Sequence, residues 1–179
     1  MSVRLAGPRV RLRAFRDGEF DALWAELSSA AGPHDVPLPP EARERLRARS
    51  ATSGTWQDRS SLVLAVEADG KLIGDVQART SHLVFPPGLF EIGIELFAAA
   101  RGSGYGTEVL ETFTRYLFDE ERATRVQLGT DVDNAAMRRA AEKAGFAFEG
   151  VMRGFWPVPG GPPKDYALYG RVAADHEGR

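Results

Sequence analysis

The stretch of this sequence best suited to chemistry is AAARGSGYGT, residues 98–107, which lies between a strand-like run and a helix-like run. Glycines at positions 102, 104 and 106 let the backbone come close to a ligand and adopt unusual dihedral angles. The helix that follows leaves its first N–H groups unpaired, and its dipole favours an anion at the same end. Arg101 adds a positive charge at the edge of the loop. The segment therefore predicts a phosphate site, for which a pyrophosphate-bearing cofactor is the natural ligand.

Two common phosphate-binding motifs fit this loop poorly. A Walker A loop requires a lysine after its last glycine, and no lysine follows here. A Rossmann dinucleotide site fits better, because Asp131 follows the next strand and could bind a ribose. However, the glycine spacing is G-x-G-x-G-T instead of G-x-G-x-x-G, and the loop follows an antiparallel meander. A dinucleotide-dependent oxidoreductase therefore remains the less favoured alternative.

Length and composition narrow the function classes. The 179 residues, 43% of them hydrophobic and 27% charged, predict one globular domain over residues 1–179. A net charge of −2 argues against a nucleic-acid partner, and the absence of cysteine excludes disulfides and an acyl-cysteine intermediate. His34, His82 and His176 show no ligand spacing, so we expect no metal site. No segment reaches the ~18 apolar residues of a membrane span, so we expect no membrane partner and a cytoplasmic location.

The segments before the glycine loop are mostly strand-like. Alternating apolar and basic residues over 10–14 predict a first strand, and Asp17 is a candidate N-cap for the helix after it. After a break rich in proline and glycine, residues 41–49 form a second helical segment. The runs on either side of Asp69-Gly70 predict a hairpin with a type I′ turn, and FEIGIELF, residues 90–97, predicts a strand that pairs with it.

The segments after the loop alternate between helix and strand. Residues 104–118 and 134–144 have the apolar spacing of helices, and Gly145 is well placed to end the second. Residues 125–130 predict a strand, and two more strands flank the connection PVPGGPP. The tail, residues 172–179, is expected to fray. The fold class is therefore a mixed α/β or α+β sheet with helices on its faces.

Three blocks of the sequence resemble the GNAT acyltransferases. Arg101-x-x-Gly104-x-Gly106 resembles their [QR]-x-x-G-x-[GA] acetyl-CoA signature. FEIGIELFAAARGSGYGTEVL is similar to the "EIGYWL…GKGYATEAL" block of the RimJ/RimL type, which acetylates protein N-termini. DNAAMRRAAEKAGFAFEGVMRG and PRVRLRAFRDGEFDALW are similar to two further blocks of that type. The resemblance covers nearly the whole chain in the right order.

The resemblance implies a fold and a cofactor site. It implies a mostly antiparallel sheet in which the strand ending at Phe97 and the strand beginning near Arg125 splay into a V around acetyl-CoA. Asn134 matches an asparagine that contacts the pantetheine, although it is also a good helix N-cap. The expected cofactor-binding residues are Leu96, Phe97, Arg101, Gly102, Gly104, Tyr105, Gly106, Thr107 and Asn134.

The resemblance also implies where the catalytic base lies. An alkylamine with a pKa of ~10.4 is protonated at neutral pH, so acyl transfer to it requires a base or a water chain. Glu91 matches the position of the family's glutamate, and Glu95 is the second candidate on the same strand face, with Gly93 leaving room between them. An N–H near Phe97 would polarise the thioester oxygen if the strand bulges there.

A general acid is harder to identify. Met137 occupies the position of the family's serine, and Tyr166 and Tyr169 are either proton donors or core aromatics. The favoured function is transfer of an acetyl group to a primary amine, a peptide N-terminus or a small molecule, by direct attack in a ternary complex. A module that senses acetyl-CoA without catalysis is the alternative, and the sequence leaves a homodimer open. The acceptor would approach between segments 32–49 and 81–89 and the PVPGGPP connection.

Overall fold

The structure, a computed structural model, describes residues 2–29, 40–80 and 87–177. Within these ranges the chain forms one eight-stranded sheet and five α-helices. The strands are β1 (Leu5–Ala6), β2 (Val10–Arg13), β3 (Ser61–Ala68), β4 (Lys71–Arg79), β5 (Leu89–Leu96), β6 (Arg125–Asp131), β7 (Ala147–Trp156) and β8 (Lys164–Val172). The helices are α1 (Glu19–Leu27), α2 (Pro40–Ala51), α3 (Tyr105–Asp119), α4 (Ala135–Lys143) and α5 (Ala173–Glu177).

The strands lie in the order β1-β2-β3-β4-β5-β6-β8-β7, and every neighbouring pair is antiparallel except β5 and β6. This confirms the predicted mixed sheet and differs from the parallel βαβ arrangement of a Rossmann site. The β3–β4 turn is confirmed as well. Asp69 and Gly70 have φ angles of 50° and 74°, the two positive values that a type I′ turn requires.

The sheet opens into a V between β5 and β6. Their register runs only from Leu89 opposite Arg125 to Glu91 opposite Gln127. Beyond these pairs β5 stays hydrogen-bonded to β4, and β6 stays hydrogen-bonded to β8. The two strands therefore diverge toward their carboxyl ends, as the resemblance implied.

Helices cover both faces of the sheet, as predicted. On one face α3 and α4 pack on an apolar core whose fully buried members include Leu12, Leu64, Val76, Leu110, Phe113, Leu128 and Tyr169. On the other face Arg13 of β2 forms an ion pair with Glu19 of α1, and Arg49 of α2 donates a hydrogen bond to Gln77 of β4. Because strand side chains alternate between faces, the polar residues of β4 and β5 point toward the α1–α2 side.

The N-terminal part of the chain differs from the prediction in two respects. Strand β1 pairs with β2 but was not predicted, because two residues give no periodicity. Helix α1 has Gly18 at its N-cap, with a φ of 84°, and the prediction that Asp17 caps it is wrong. The Glu19 carboxylate accepts a hydrogen bond from the backbone N–H of Arg16 at 2.8 Å, so a side chain from the helix itself pairs with a backbone donor of the turn before it.

The prediction that residues 172–179 fray is wrong as far as residue 177, where the structure describes the tail. Ala173–Glu177 form helix α5. The His176 ring stacks on Phe118 with 4.9 Å between ring centroids, and its Nε2 lies 2.8 Å from Oδ1 of Asp119. These contacts with α3 order the tail, and the local sequence gives no sign of them.

Parts of three predictions lie outside the described residues. They concern His34, His82, residues 32–39 of segment 32–49 and residues 81–86 of segment 81–89. Where segment 32–49 is described, the predicted helix is confirmed as α2.

Candidate active site

The glycine loop joins the end of β5 to the start of α3. After Leu96 the chain forms a 3₁₀ turn at Ala98–Ala100 and passes through Gly102 and Gly104, whose φ angles are 76° and 83°. Both angles lie in the left-handed region, which glycine adopts without the strain that a side chain brings. The predicted unusual backbone is therefore confirmed at these two positions.

The first turn of α3 presents unpaired donors. Gly104 is the N-cap residue and has no side chain that could accept their hydrogen bonds. Within the described residues no acceptor pairs with the backbone N–H of Tyr105, Gly106 or Thr107, as is usual at a helix start. These donors and the helix dipole together form a site for an anion.

This turn lies beside β5 and α4, near the cleft that opens where β5 and β6 separate. A Cβ at Gly106 would lie 3.7 Å from Cδ1 of Leu96 and 3.8 Å from Cβ of Ala140, so this glycine borders both elements. Arg101 lies at the same edge, where its Nε donates a hydrogen bond to the Leu96 carbonyl at 2.9 Å. The loop thus brings backbone donors and one cation to the mouth of the V.

The end of β5 differs from one expectation. The Phe97 N–H donates to the Ile73 carbonyl at 2.9 Å, and the β4–β5 register continues without a bulge. This N–H is paired with β4, so the bulge on which the expected contact with the thioester oxygen depends does not occur at Phe97. Because neighbouring residues of an antiparallel strand turn their backbone groups to opposite edges, the N–H and C=O of Leu96 point away from β4 into the opening.

Glu91 lies at the vertex of the V. It is the Cα partner of Arg79 in β4 and of Gln127 in β6, and it is the last β5 residue to pair with β6. Its side chain is 49% exposed and forms an ion pair with Arg79 at 3.5 Å. An exposed ion pair of this kind contributes at most about 1 kcal/mol to stability. Glu91 is therefore accessible, but its charge already has a partner.

Glu95 lies in a different environment, farther along the same face of β5. It is the direct cross-strand partner of Asp75, which is only 5% exposed. Burial raises the pKa of Asp75 to about 6, although the charge of Arg49 opposes the shift. Burial, and then the charge of Asp75, raise the pKa of Glu95 to about 7 against the effect of Arg101. Two carboxyl groups with raised proton affinity thus lie side by side on one arm of the V.

A cation from α2 lies near this pair. Arg49 donates a hydrogen bond to Oε1 of Gln77, and burial lowers its pKa while the Asp75 charge raises it. A Cβ at Gly93 would lie 3.1 Å from Nε2 of Gln77. The room that the sequence predicted beside Gly93 is therefore occupied by the Gln77 amide, which Arg49 holds in place.

Asn134 is the N-cap residue of α4. Its Oδ1 accepts a hydrogen bond from the Met137 N–H at 3.1 Å, which confirms the capping alternative. The cap uses only the side-chain oxygen, so the Nδ2 group can still serve a ligand. Met137 packs against the core and brings no hydroxyl group to the cleft.

The two tyrosines of β8 lie on opposite faces of the sheet. Tyr169 is fully buried, and its hydroxyl contacts Glu142 at 3.0 Å and Arg138 at 3.2 Å, both in α4. Tyr166 pairs with Asp131, which the β6 alternation places on the face of Glu91. Core packing is thus confirmed for Tyr169, and Tyr166 is the tyrosine on the Glu91 side.

Two predicted absences concern metal ions and membranes. The described ranges contain no group of three or more His, Asp or Glu side chains that could hold a metal ion. In the same ranges no helix is both long enough and apolar enough to span a bilayer.

Sequence reasoning missed several side chains around the site. Asp75 and Arg49 become relevant only through the register of β4 and the packing of α2. Arg9 and Glu108 contact each other across 99 positions of the chain. A single sequence shows none of these pairs, because each depends on tertiary contact.

Comparison with known proteins agrees with this geometry. The acetyltransferase (GNAT) domain pattern matches residues 9–147. The mycothiol acetyltransferase of Paenarthrobacter aurescens is 31% identical over 139 residues, which are 76% of this chain and 42% of that protein. The chain therefore spans less than half the length of this relative.

Solved structures show the same fold. RimJ of Mycobacterium smegmatis superposes with a TM-score of 0.76 at 20% identity, covering 97% of this chain and 88% of that one. The RimL acetyltransferase of ribosomal L7/L12 superposes with a TM-score of 0.75 at 18% identity, covering 95% and 98%. Since the domain pattern covers most of the sequence, the chain belongs to the GNAT acetyltransferase family.

Proposed function

We propose that this protein transfers the acetyl group of acetyl-CoA to a primary amine. The observation that carries the proposal is the unpaired first turn of α3 at the mouth of the V, next to a strand with two carboxylates on one face. The RimJ and RimL structures were solved with bound forms of coenzyme A, which supports the same ligand here.

The groups at the cleft fit coenzyme A. Its diphosphate matches the N–H donors of the loop and the guanidinium of Arg101, which donates to the carbonyl of Leu96 at the edge of the site. The extended pantetheine arm matches the outward-facing N–H of Leu96, and Asn134 offers its amide nitrogen. Acetyl-CoA supplies an acetyl thioester, the activated form of the group to be transferred. The proposed binding residues are Leu96, Phe97, Arg101, Gly102, Gly104, Tyr105, Gly106, Thr107 and Asn134.

Between the two candidate bases, the surroundings favour Glu95 over Glu91. A base works best when its pKa lies close to the working pH, and burial beside Asp75 raises the pKa of Glu95 to about 7. Glu91 is exposed, and its charge is paired with Arg79 at 3.5 Å. We therefore assign proton removal to Glu95, and to Glu91 an electrostatic role at the vertex of the V.

The acceptor amine arrives mostly as an ammonium ion, since an α-amine has a pKa near 8 and an alkylamine near 10.4. Glu91, Glu95 and Asp75 lie on the same sheet face and attract this cation. Glu95 takes one proton, directly or through a water molecule, and the nitrogen lone pair becomes free for acyl transfer. The acidic face suits both a peptide N-terminus and a small amine.

The proposal is tested by measuring thiol release from acetyl-CoA with a panel of peptides and small amines, and by mass spectrometry of the acceptor. We expect Glu95→Gln to lower kcat by about 100-fold or more while the Kd for coenzyme A stays the same. The matched variant Glu91→Gln should stay within about threefold of the wild type, because that carboxylate is exposed and ion-paired.

Three other outcomes would change the assignment of the base or of the function. Loss of turnover in Glu91→Gln alone would move the base to Glu91. Tight binding of coenzyme A without acetylation of any amine would instead support the sensor alternative. No binding of coenzyme A by the wild-type protein would refute the proposal as a whole.

A further inference from the structure

Arg9 and Glu108, 99 positions apart, tie the N-terminal segment to the first turn of α3. The Glu108 side chain is largely buried, and its Oε1 accepts hydrogen bonds from the backbone N–H of Arg9 at 2.5 Å and of Val10 at 2.9 Å. Its Oε2 lies 3.0 Å from Nε of Arg9. These contacts hold the start of β2 against the helix that carries the anion site.

The Arg9 guanidinium extends from Glu108 to the glycine loop. Its Nη1 donates a hydrogen bond to the Ser103 carbonyl at 3.1 Å, and its central carbon lies 4.8 Å from the centre of the Tyr105 ring. Across a planar trans peptide, the carbonyl of one residue and the N–H of the next point in opposite directions. Because Arg9 holds the Ser103 carbonyl, the N–H of Gly104 points away from Arg9.

Glu108 also places a negative charge at the anion site. Burial would raise its pKa, but hydrogen bonds from the backbone of Arg9 and Val10, and from the Arg9 side chain, bring it below the ordinary value. Glu108 is therefore ionised within the same first turn of α3 that carries the N–H donors. A carboxylate so close to a bound diphosphate repels it, unless a cation offsets the charge.

We propose that Arg9 is a positioning residue of the cofactor site. It fixes the carbonyl side of the glycine loop and neutralises Glu108, so that the amides of the loop and of α3 can hold a diphosphate. The inference rests on the proposed function, because the diphosphate is that of coenzyme A. The glycine at position 104 leaves room for the Arg9 guanidinium, since a Cβ there would lie only 3.3 Å from Nη2 of Arg9.

The test compares Arg9→Ala with Arg11→Ala, which removes an exposed arginine from the same segment. Calorimetric titration with coenzyme A should give a Kd at least about tenfold higher for Arg9→Ala and an unchanged Kd for Arg11→Ala. The KM for acetyl-CoA should rise with the Kd, while kcat at saturation stays within about threefold, because Arg9 does not touch the reacting groups.

A double-mutant cycle separates neutralisation from general structural support. If Arg9 acts by offsetting the Glu108 charge, then adding Glu108→Gln to Arg9→Ala should recover part of the lost affinity, about threefold or more. Arg9→Lys keeps the charge but cannot bridge Glu108 and Ser103 in the same way, so an intermediate Kd is expected. If Arg9→Ala does not fold, the Kd of Arg9→Lys for coenzyme A tests the proposal in its place.

Three results would overturn the proposal. They are wild-type affinity in both Arg9 variants, an equal loss in Arg11→Ala, and a double variant that binds no better than Arg9→Ala. Failure of the proposed function is distinct from all three, because the wild-type protein would then bind no coenzyme A.

Discussion

Asp75 and Glu95 are direct partners across the β4–β5 ladder, and Asp75 is almost completely buried. Direct partners in an antiparallel pair have Cβ atoms about 4.5–5.5 Å apart, so the two carboxyl groups share one region of low dielectric. Like charges this close disfavour joint ionisation, and the pair titrates as a unit. The proton affinity of the proposed base therefore depends on its neighbour as well as on its own burial.

A pH-rate profile should show this coupling. Glu95 acts as a base only when ionised, so kcat/KM should fall on the acid side with a midpoint near its pKa of about 7. In Asp75→Asn a negative charge that raises this pKa is removed, so the acid limb should move to lower pH by up to about one unit. A variant that merely loosens the structure would lower the rate without moving the limb.

The same two groups predict how stability varies with pH. Burial raises the pKa of Asp75 from 3.8 to about 6 and that of Glu95 from 4.5 to about 7, so the folded state binds more protons than the unfolded state between these values. Their favourable contribution is fully present below the unfolded values and is lost as pH rises through the folded ones. The free energy of unfolding of Asp75→Asn, taken relative to that of the wild type, should therefore be higher at about pH 8 than at about pH 4. The change between the two pH values should be on the order of 1–3 kcal/mol.

Urea unfolding of both proteins at the two pH values measures this difference. Glu91→Gln is the control, and its effect on the free energy of unfolding should be small at either pH. A difference between Asp75→Asn and the wild type that does not change with pH would contradict the assignment.

Local patterns predicted most of the fold. Alternation along β3 and β4, the Asp69-Gly70 turn and the glycines of the loop depend on neighbouring residues, and the structure has each of them. The pairing of Asp75 with Glu95 depends on the register between β4 and β5, where a shift of one residue would turn one side chain to the other face. Such a register is set by the whole sheet, so one sequence could name Glu95 but not its partner.

Filling the cleft at Gly106 should block the cofactor without unfolding the protein. A Cβ there would lie 3.7 Å from Leu96 and 3.8 Å from Ala140, which are ordinary contact distances, but the longer leucine side chain would occupy the cleft. Leucine and alanine both favour a helix more than glycine does, by about 0.5–1 kcal/mol. Gly106→Leu should therefore keep its melting temperature and lose about 100-fold or more in affinity for coenzyme A.

Gly106→Ala is the matched control for this prediction. It should bind coenzyme A within about tenfold of the wild type. Calorimetry and thermal unfolding of the same samples separate binding from folding. Wild-type affinity in Gly106→Leu would show that the ligand does not pass this glycine.

Tyr169→Phe should change stability and leave catalysis intact. The Tyr169 hydroxyl contacts Glu142 at 3.0 Å and Arg138 at 3.2 Å on the α4 side of the sheet, and the residue is fully buried. Glu142 is exposed and can bond to water in the variant, so removing the Tyr169 hydroxyl should lower the free energy of unfolding only by the net value of a hydrogen bond, about 1 kcal/mol. Tyr166 lies on the opposite face, with Glu91, so Tyr166→Phe is the matched variant on the acceptor side. Steady-state rates and urea unfolding of both variants test the assignment. A loss of kcat in Tyr169→Phe with normal affinity for coenzyme A would show that this buried hydroxyl takes part in proton transfer.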